Sequence, residues 1–235
     1  MRTIYIIPFL LFIACDSPKT DPVDQVPDEN VTKLSDEELL DTIQYYTFQY
    51  FWDGAEPNSG MAPERIHMDG VYPANDAHVI TTGGTGMGLI GILGAIDRGW
   101  ISRVQAAGRF EKILNFLEKA DRYHGVWPHW LDGKTGKTVP FSPKDDGADL
   151  VESAFLMQGL LAVREYYKDG NELEKNIAER IDQLWKEMDW SWFTRGGQNV
   201  LYWHWSPNFG WDMNFALEGY NEVLITYILA ASSPT

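Results

Sequence analysis

Cysteine is almost absent. The 235 residues include one, Cys15, so no internal disulfide can brace the fold and stability must come from packing. Clusters of Lys and Arg are missing as well, and with a formal charge of -15 the surface is unsuited to nucleic acid or anionic lipid. No apolar run reaches the roughly 20 residues that span a bilayer. The stretch Ile4 to Ala14 is short and broken by Pro8. Apolar and aromatic residues are plentiful: 44% of the chain is hydrophobic, enough for one sizeable core, and 10 residues are tryptophan.

The N-terminus has the form of an export signal, with Arg2 ahead of the apolar run and LLFIAC at its end. Ala14 before the lone cysteine, with Phe12 as a permitted variant, is the pattern of a bacterial lipoprotein signal. The expectation is a signal peptide over 1–15 and an acylated Cys15, which would place the protein in the cell envelope, on a membrane only through its lipid anchor. Residues 16–34, with three prolines and no apolar period, read as a flexible tether.

From Ser35 onward the pattern is helical. Ser35 and Glu38 form a capping box, and Leu39, Leu40, Ile43, Tyr46, Tyr50 and Phe51 follow at helical spacing. Further helices are predicted over 83–98, 102–121, 147–168, 171–189 and 211–231. Residues 192–211 alternate and turn at Gly196–Gly197, which predicts a β-hairpin. About six helices joined by elaborated loops predict an all-α domain over 35–235, an α/α toroid with its cleft on one face. Gly86, Gly88 and Gly91 match the spacing of a dinucleotide loop, but that loop needs a preceding strand and a second parallel strand about 30 residues on. A helix follows instead, so Gly84, Gly88, Gly91 and Ala95 predict a small-residue stripe where two helices approach closely.

KDDGADLVESAF, Lys144 to Phe155, holds the densest acidity. Asp145, Asp149 and Glu152 are spaced i, i+4, i+7, which puts all three on one side of a helix or its first turn. Helix dipoles and caps, with Asp146 the natural cap, explain one or two acids at a helix start, not three whose charges oppose one another. A second acidic pair, Glu218 and Glu222, falls in the predicted last helix. Two loop clusters stand beside these acids, WPHW with Trp127, His129 and Trp130, and WHW with Trp203, His204 and Trp205. An aromatic cleft floored by carboxylates suits sugars, whose C–H faces stack on indole while their hydroxyls donate to acids. A metal site from His129, Asp145 and Asp149 has no ligand spacing to specify it, and none is expected.

SGMAPERIHMDGVYPANDAHVITTGGTGMG, KADRYHGVWPHWLDGKTGK, GADLVESAFLMQGLL, the long run from Arg180 to Phe215, and GYNEVLITYILAASSPT together resemble the glucoamylase-like domain of bacterial lipoproteins, glycoside hydrolase family 144. The resemblance runs from about residue 36 to the last residue. It implies an (α/α)6 barrel, hydrolysis of β-glucan of the endo-β-1,2-glucanase kind with inversion, and no cofactor. The family's acidic motif falls on Asp145, Asp149 and Glu152, and its Gly-Tyr-Asn-Glu run on Gly219 to Glu222, which selects Glu222 over Glu218. Pro63 departs from the family's SGMAPER stretch. The larger departure is length: the sequence reaches only the sixth helix, so the expectation is the N-terminal half of the toroid, as a fragment or a natural half-barrel. A glycan-binding module without turnover and a polysaccharide lyase are the competing readings; the acidic charge argues against the lyase.

Overall fold

A computed structural model describes residues 34–235. The expected signal peptide, Cys15 and nearly all of the tether lie outside the described residues. Six α-helices order the described chain: α1 (Asp36–Trp52), α2 (Thr82–Asp97), α3 (Arg103–Leu117), α4 (Leu150–Tyr167), α5 (Glu172–Glu187) and α6 (Leu224–Ser232). Short strands lie between them: β1 (Val79–Thr81), β2 (Trp130–Asp132), β3 (Thr138–Val139), β4 (Ala148–Asp149) and β5 (His204–Trp205). None of these helices is long and apolar enough to cross a membrane.

Local sequence starts the outer helices. Ser35 with Glu38, Ser102 with Gln105 and Asn171 with Glu174 each make a complete capping box at the head of α1, α3 and α5. The inner helices are greasier. In α2 the sole charged side chain is Asp97, as expected of a helix packed on several sides. Helix α2 packs on α4 and α4 on α6, while α1 and α3 back α2, and α5 packs against both α3 and α4. Alternation of inner and outer helices is the arrangement of an α/α toroid. A main core holds it, with Phe110, Trp127, Leu131, Leu156, Tyr167 and Phe193 buried within it, and a small second cluster joins Val151 to Leu217 and Val223.

The α2–α4 contact depends on glycine. A Cβ at Gly86 would lie 2.0 Å from the Phe155 carbonyl oxygen, and one at Gly159 would lie 2.3 Å from the Gly86 oxygen. The close approach foreseen from the small-residue stripe is real, but Gly83, Gly86 and Gly159 make it. Gly91 has open space beside it, and Gly88 meets Phe51 of α1 instead.

Three other expectations change. The α1 stripe of Leu39, Leu40, Ile43 and Tyr46 is exposed, and Phe48 is the buried residue of that helix. The last helix starts at Leu224, not 211, because Asn214 and Gly219 take positive φ (44° and 83°) and Tyr202 pairs with Ala216. Residues 192–211 form no hairpin about Gly196–Gly197: Trp190–Thr194 is a 3-10 helix, the chain turns at Gly196 and Gly197, β5 pairs with distant β4, and the one local pairing is the Ser206–Gly210 bridge. The hairpin of this fold is β2–β3, extended into a three-stranded sheet by β1 with Thr81 opposite Trp130.

Candidate active site

Strands β1 and β4 run directly into the N-termini of the inner helices α2 and α4. Thr81 caps α2 and Asp149 caps α4, so both positive helix ends open on the same loop-built face. Asp149 is the hub there. Its Oδ1 accepts from the Glu152 backbone N–H at 2.9 Å and from Trp203 Nε1 at 2.9 Å. Its Oδ2 lies 3.1 Å from His129 Nδ1 and 3.4 Å from His204 Nε2. Asp145 Oδ2 is 3.2 Å from the same His204 nitrogen. Strand pairing makes this possible, since Asp149 sits directly across from His204 in the β4–β5 register.

Asp145, Asp149 and Glu152 therefore converge, though not by sharing a helix face. Asp145 precedes β4, Asp149 is the cap, and only Glu152 lies within α4. The cap is Asp149 rather than Asp146, which instead accepts from Ser206 and Asn208 and ties the two loops together. Glu218 and Glu222 are exposed in the loop before α6, not one turn apart on it. The charge of Glu222 is the smallest of the influences that act on Glu152, and of the two it is the one in the matching run.

The electrostatics separate the carboxyls. Burial alone would raise Asp149, but hydrogen bonds from His129 and His204 overcome it and hold the group at about 2. Glu152 moves the other way: burial, then the charges of Asp149 and Glu222, raise it above the ordinary value, against His129 and the Gly83 N–H, which donates to it at 3.0 Å. His204 is lowered by burial, yet Asp145 and Asp149 raise it to about 9. Burial alone does not make a proton carrier. Asp149 is fully buried, and its two oxygens are taken up by four partners.

A stability effect follows. The folded value of Asp149 is below that of the unfolded chain, about 3.9, so its contribution is present above that pH and is lost as pH falls through about 2. Denaturant unfolding between pH 5 and 2 should show a decline of about 2 to 3 kcal/mol from this group, and Asp149→Asn should remove that part of the slope.

Around the hub the aromatic expectations divide. Trp203 stacks on Phe215 with ring centroids 5.1 Å apart, and His129 stacks on Phe141 at 4.2 Å with Trp130 edge-on to both. Phe141 and Phe215 are half exposed. These four rings, with His129, can wall a sugar site. Phe141 and Phe215 were missed because neither lies in a Trp-His cluster. Trp127 is not a sugar contact. It is wholly buried, donates to the Leu117 carbonyl and belongs to the core. Trp205 is partly buried against Tyr123, His124 and Trp192, on the far side of β5 from His204. His129, Asp145 and Asp149 each bring one atom within 4.8 Å of the others, but the two histidines already satisfy the shared oxygens, so the group reads as an internal hydrogen-bond network.

Buried acid lies elsewhere too. Glu56, unremarked in the sequence, accepts from the backbone N–H and side chain of both Asn58 and Ser59 and contacts His78. It staples the turn before β1.

No family model matches the chain. It is 60% identical to an endo-β-1,2-glucanase from Chitinophaga pinensis solved with sophorotriose and glucose, with a TM-score of 0.84 over 86% of this chain and 48% of that one. A Bacteroides caccae protein solved as a candidate glucoamylase is 64% identical, with a TM-score of 0.84 over 86% and 49%. Over 86% of its length the chain is similar to these glucoamylase-like and β-1,2-glucanase structures. An exo β-1,2-glucooligosaccharide sophorohydrolase of Parabacteroides distasonis is 49% identical over 203 residues, 86% of this chain and 27% of that protein. This glucoamylase-like chain thus spans about half the length of the solved relatives and about a quarter of the curated one. Its six helices are half of an (α/α)6 toroid.

Proposed function

We propose that the protein hydrolyses β-glucan, with β-1,2-linked glucan as substrate, by an inverting acid–base mechanism in which Glu152 is the acid and Glu222 the base. The observation that carries this reading is the opposed setting of the carboxyls. The affinity of Glu152 for a proton is raised, with Glu222 contributing, while that of Asp149 beside it is lowered. A proton carrier near neutrality needs that shift. Inversion then needs a second carboxylate about 6.5 to 9.5 Å away, with a water between. Exposed Glu222, on a separate loop, has room for one. Trp130, Phe141, Trp203 and Phe215 would stack the pyranose rings, with His129 at the cleft floor. The relatives named for β-1,2-glucan support the substrate class. No cofactor is proposed.

The LLFIAC ending and the acidic, proline-containing tether support an envelope lipoprotein anchored at Cys15, where extracellular glucan is met.

The second reading, a surface glycan-binding protein without turnover, draws on one observation: the chain spans about half the length of the solved relatives. Incubation with β-1,2-glucan, followed by proton NMR of the anomeric signals, decides. Hydrolysis should release reducing ends whose first-formed anomer is α. Binding with no reducing ends would replace the enzyme by the binding protein.

A further inference from the structure

We propose that His204 is a positioning residue and not a sugar contact: a buried cation shared by Asp145 and Asp149 that keeps the hub in the geometry Glu152 requires. Its meaning for catalysis rests on the reading above, but its existence does not.

The argument starts from charge. Asp145 and Asp149 are 4% and 0% exposed, and one nitrogen, His204 Nε2, is within 3.4 Å of an oxygen of each. Two buried carboxylates drawn to one point repel each other unless a cation lies between them. Among the described residues, the basic groups paired with them are His129, which reaches Asp149 alone, and His204, which reaches both. Among the described residues the Asp145 side chain has no other partner, and its Oδ1 is buried without one. The same Nε2–H faces both acids in either charge state, so what protonation of Nδ1 adds is the positive charge between two buried anions, not a second hydrogen bond.

Burial adds to this. His204 is 9% exposed, its ring lies nearly parallel to the Trp203 indole with centroids 5.7 Å apart, and its Nδ1 meets no polar group among the described residues. A side chain so enclosed has no edge to offer a ligand. What it can do is hold Asp149, which in turn caps α4, receives Trp203 and orients His129. Losing the cation would loosen all three. The titratable groups facing His204 are Asp145 and Asp149 on the β4 side, with His129 and Glu152 beyond Asp149.

The test is histidine side-chain NMR on the full chain, with the five histidines labelled and His204 assigned by its loss in His204→Gln. His204 should stay doubly protonated through neutral pH and titrate near 9, and Asp145→Asn should lower that midpoint. A midpoint near the ordinary value of about 6.5, or one unmoved in Asp145→Asn, overturns the proposal. So would stoichiometric broadening of the His129 and His204 signals by millimolar MnCl2, which would make the hub a cation site. None of these needs substrate, so they separate the proposal from the glucanase reading. On glucan, His204→Gln should lower kcat about 100-fold with KM within about threefold and move the alkaline limb of the pH profile, which Glu152 sets, upward. A raised KM at unchanged kcat would restore His204 to sugar binding.

Discussion

Glu152→Gln is expected to cut the cleavage rate of β-1,2-glucan by about 100-fold or more, the ordinary loss when a general acid is removed. Glutamine keeps the shape and can still accept the Gly83 N–H, so the thermal midpoint should stay within a few degrees. Glu222→Gln should match that loss, since an inverting pair fails when either member goes. The pH profile tells the roles apart. Glu152→Gln should abolish the alkaline limb, where the raised carboxyl loses its proton, and Glu222→Gln the acid limb. Unchanged initial rates in either variant, read as reducing ends, would remove that residue from catalysis. Glu218→Gln is the control and should behave as wild type.

The second large effect concerns folding. Gly86→Val should destabilise the protein by about 3 kcal/mol or more, because its Cβ would start 2.0 Å from the Phe155 carbonyl oxygen and 2.7 Å from the Leu156 Cα, and backbone cannot step aside as a side-chain tip can. Since α2 and α4 are the most closely joined pair, the whole inner layer must separate to admit it. Gly91→Ala, one turn and a half further along α2 and facing open space, should stabilise by up to about 1 kcal/mol. Denaturant midpoints of the two variants measure both. Equal midpoints would mean that the α2–α4 contact is looser than the structure shows.

How far the sequence could be read depends on how local each feature is. The capping boxes at Ser35, Ser102 and Asn171 use residues three apart, and the starts of α1, α3 and α5 were legible to within a residue or two. The face of α1 was not. Leu39, Leu40, Ile43 and Tyr46 repeat as a core stripe should, but nothing in the described chain covers them. Helical period reveals that a face is apolar, not what lies against it. The start of α6 was misplaced because WDMNFALEGYNE is rich in residues that helices accept, while the Tyr202–Ala216 bridge that holds it extended joins distant residues.

The candidate site was half legible. Asp145, Asp149 and Glu152 were found by spacing, yet the spacing argument was mistaken, since Asp145 and Asp149 lie ahead of the helix. What gathers them is the β4–β5 pairing, two residues long on each side, too short for any alternation to announce. His204 and Trp127 were both placed at the sugar because they sit in Trp-His clusters. Burial assigned one to the carboxylates and the other to the core, and burial is a property of the finished fold.

The β4–β5 pairing also sets an order of events. Helical turns form from neighbours, but Trp203 reaches Asp149 across 54 residues and Glu152 reaches the Gly83 amide across 69. Contacts between such distant points close late, after the intervening chain has surrendered its freedom. The scaffold can therefore assemble before its chemistry does, and a nascent chain would pass through a stage that is helical, compact and still inert.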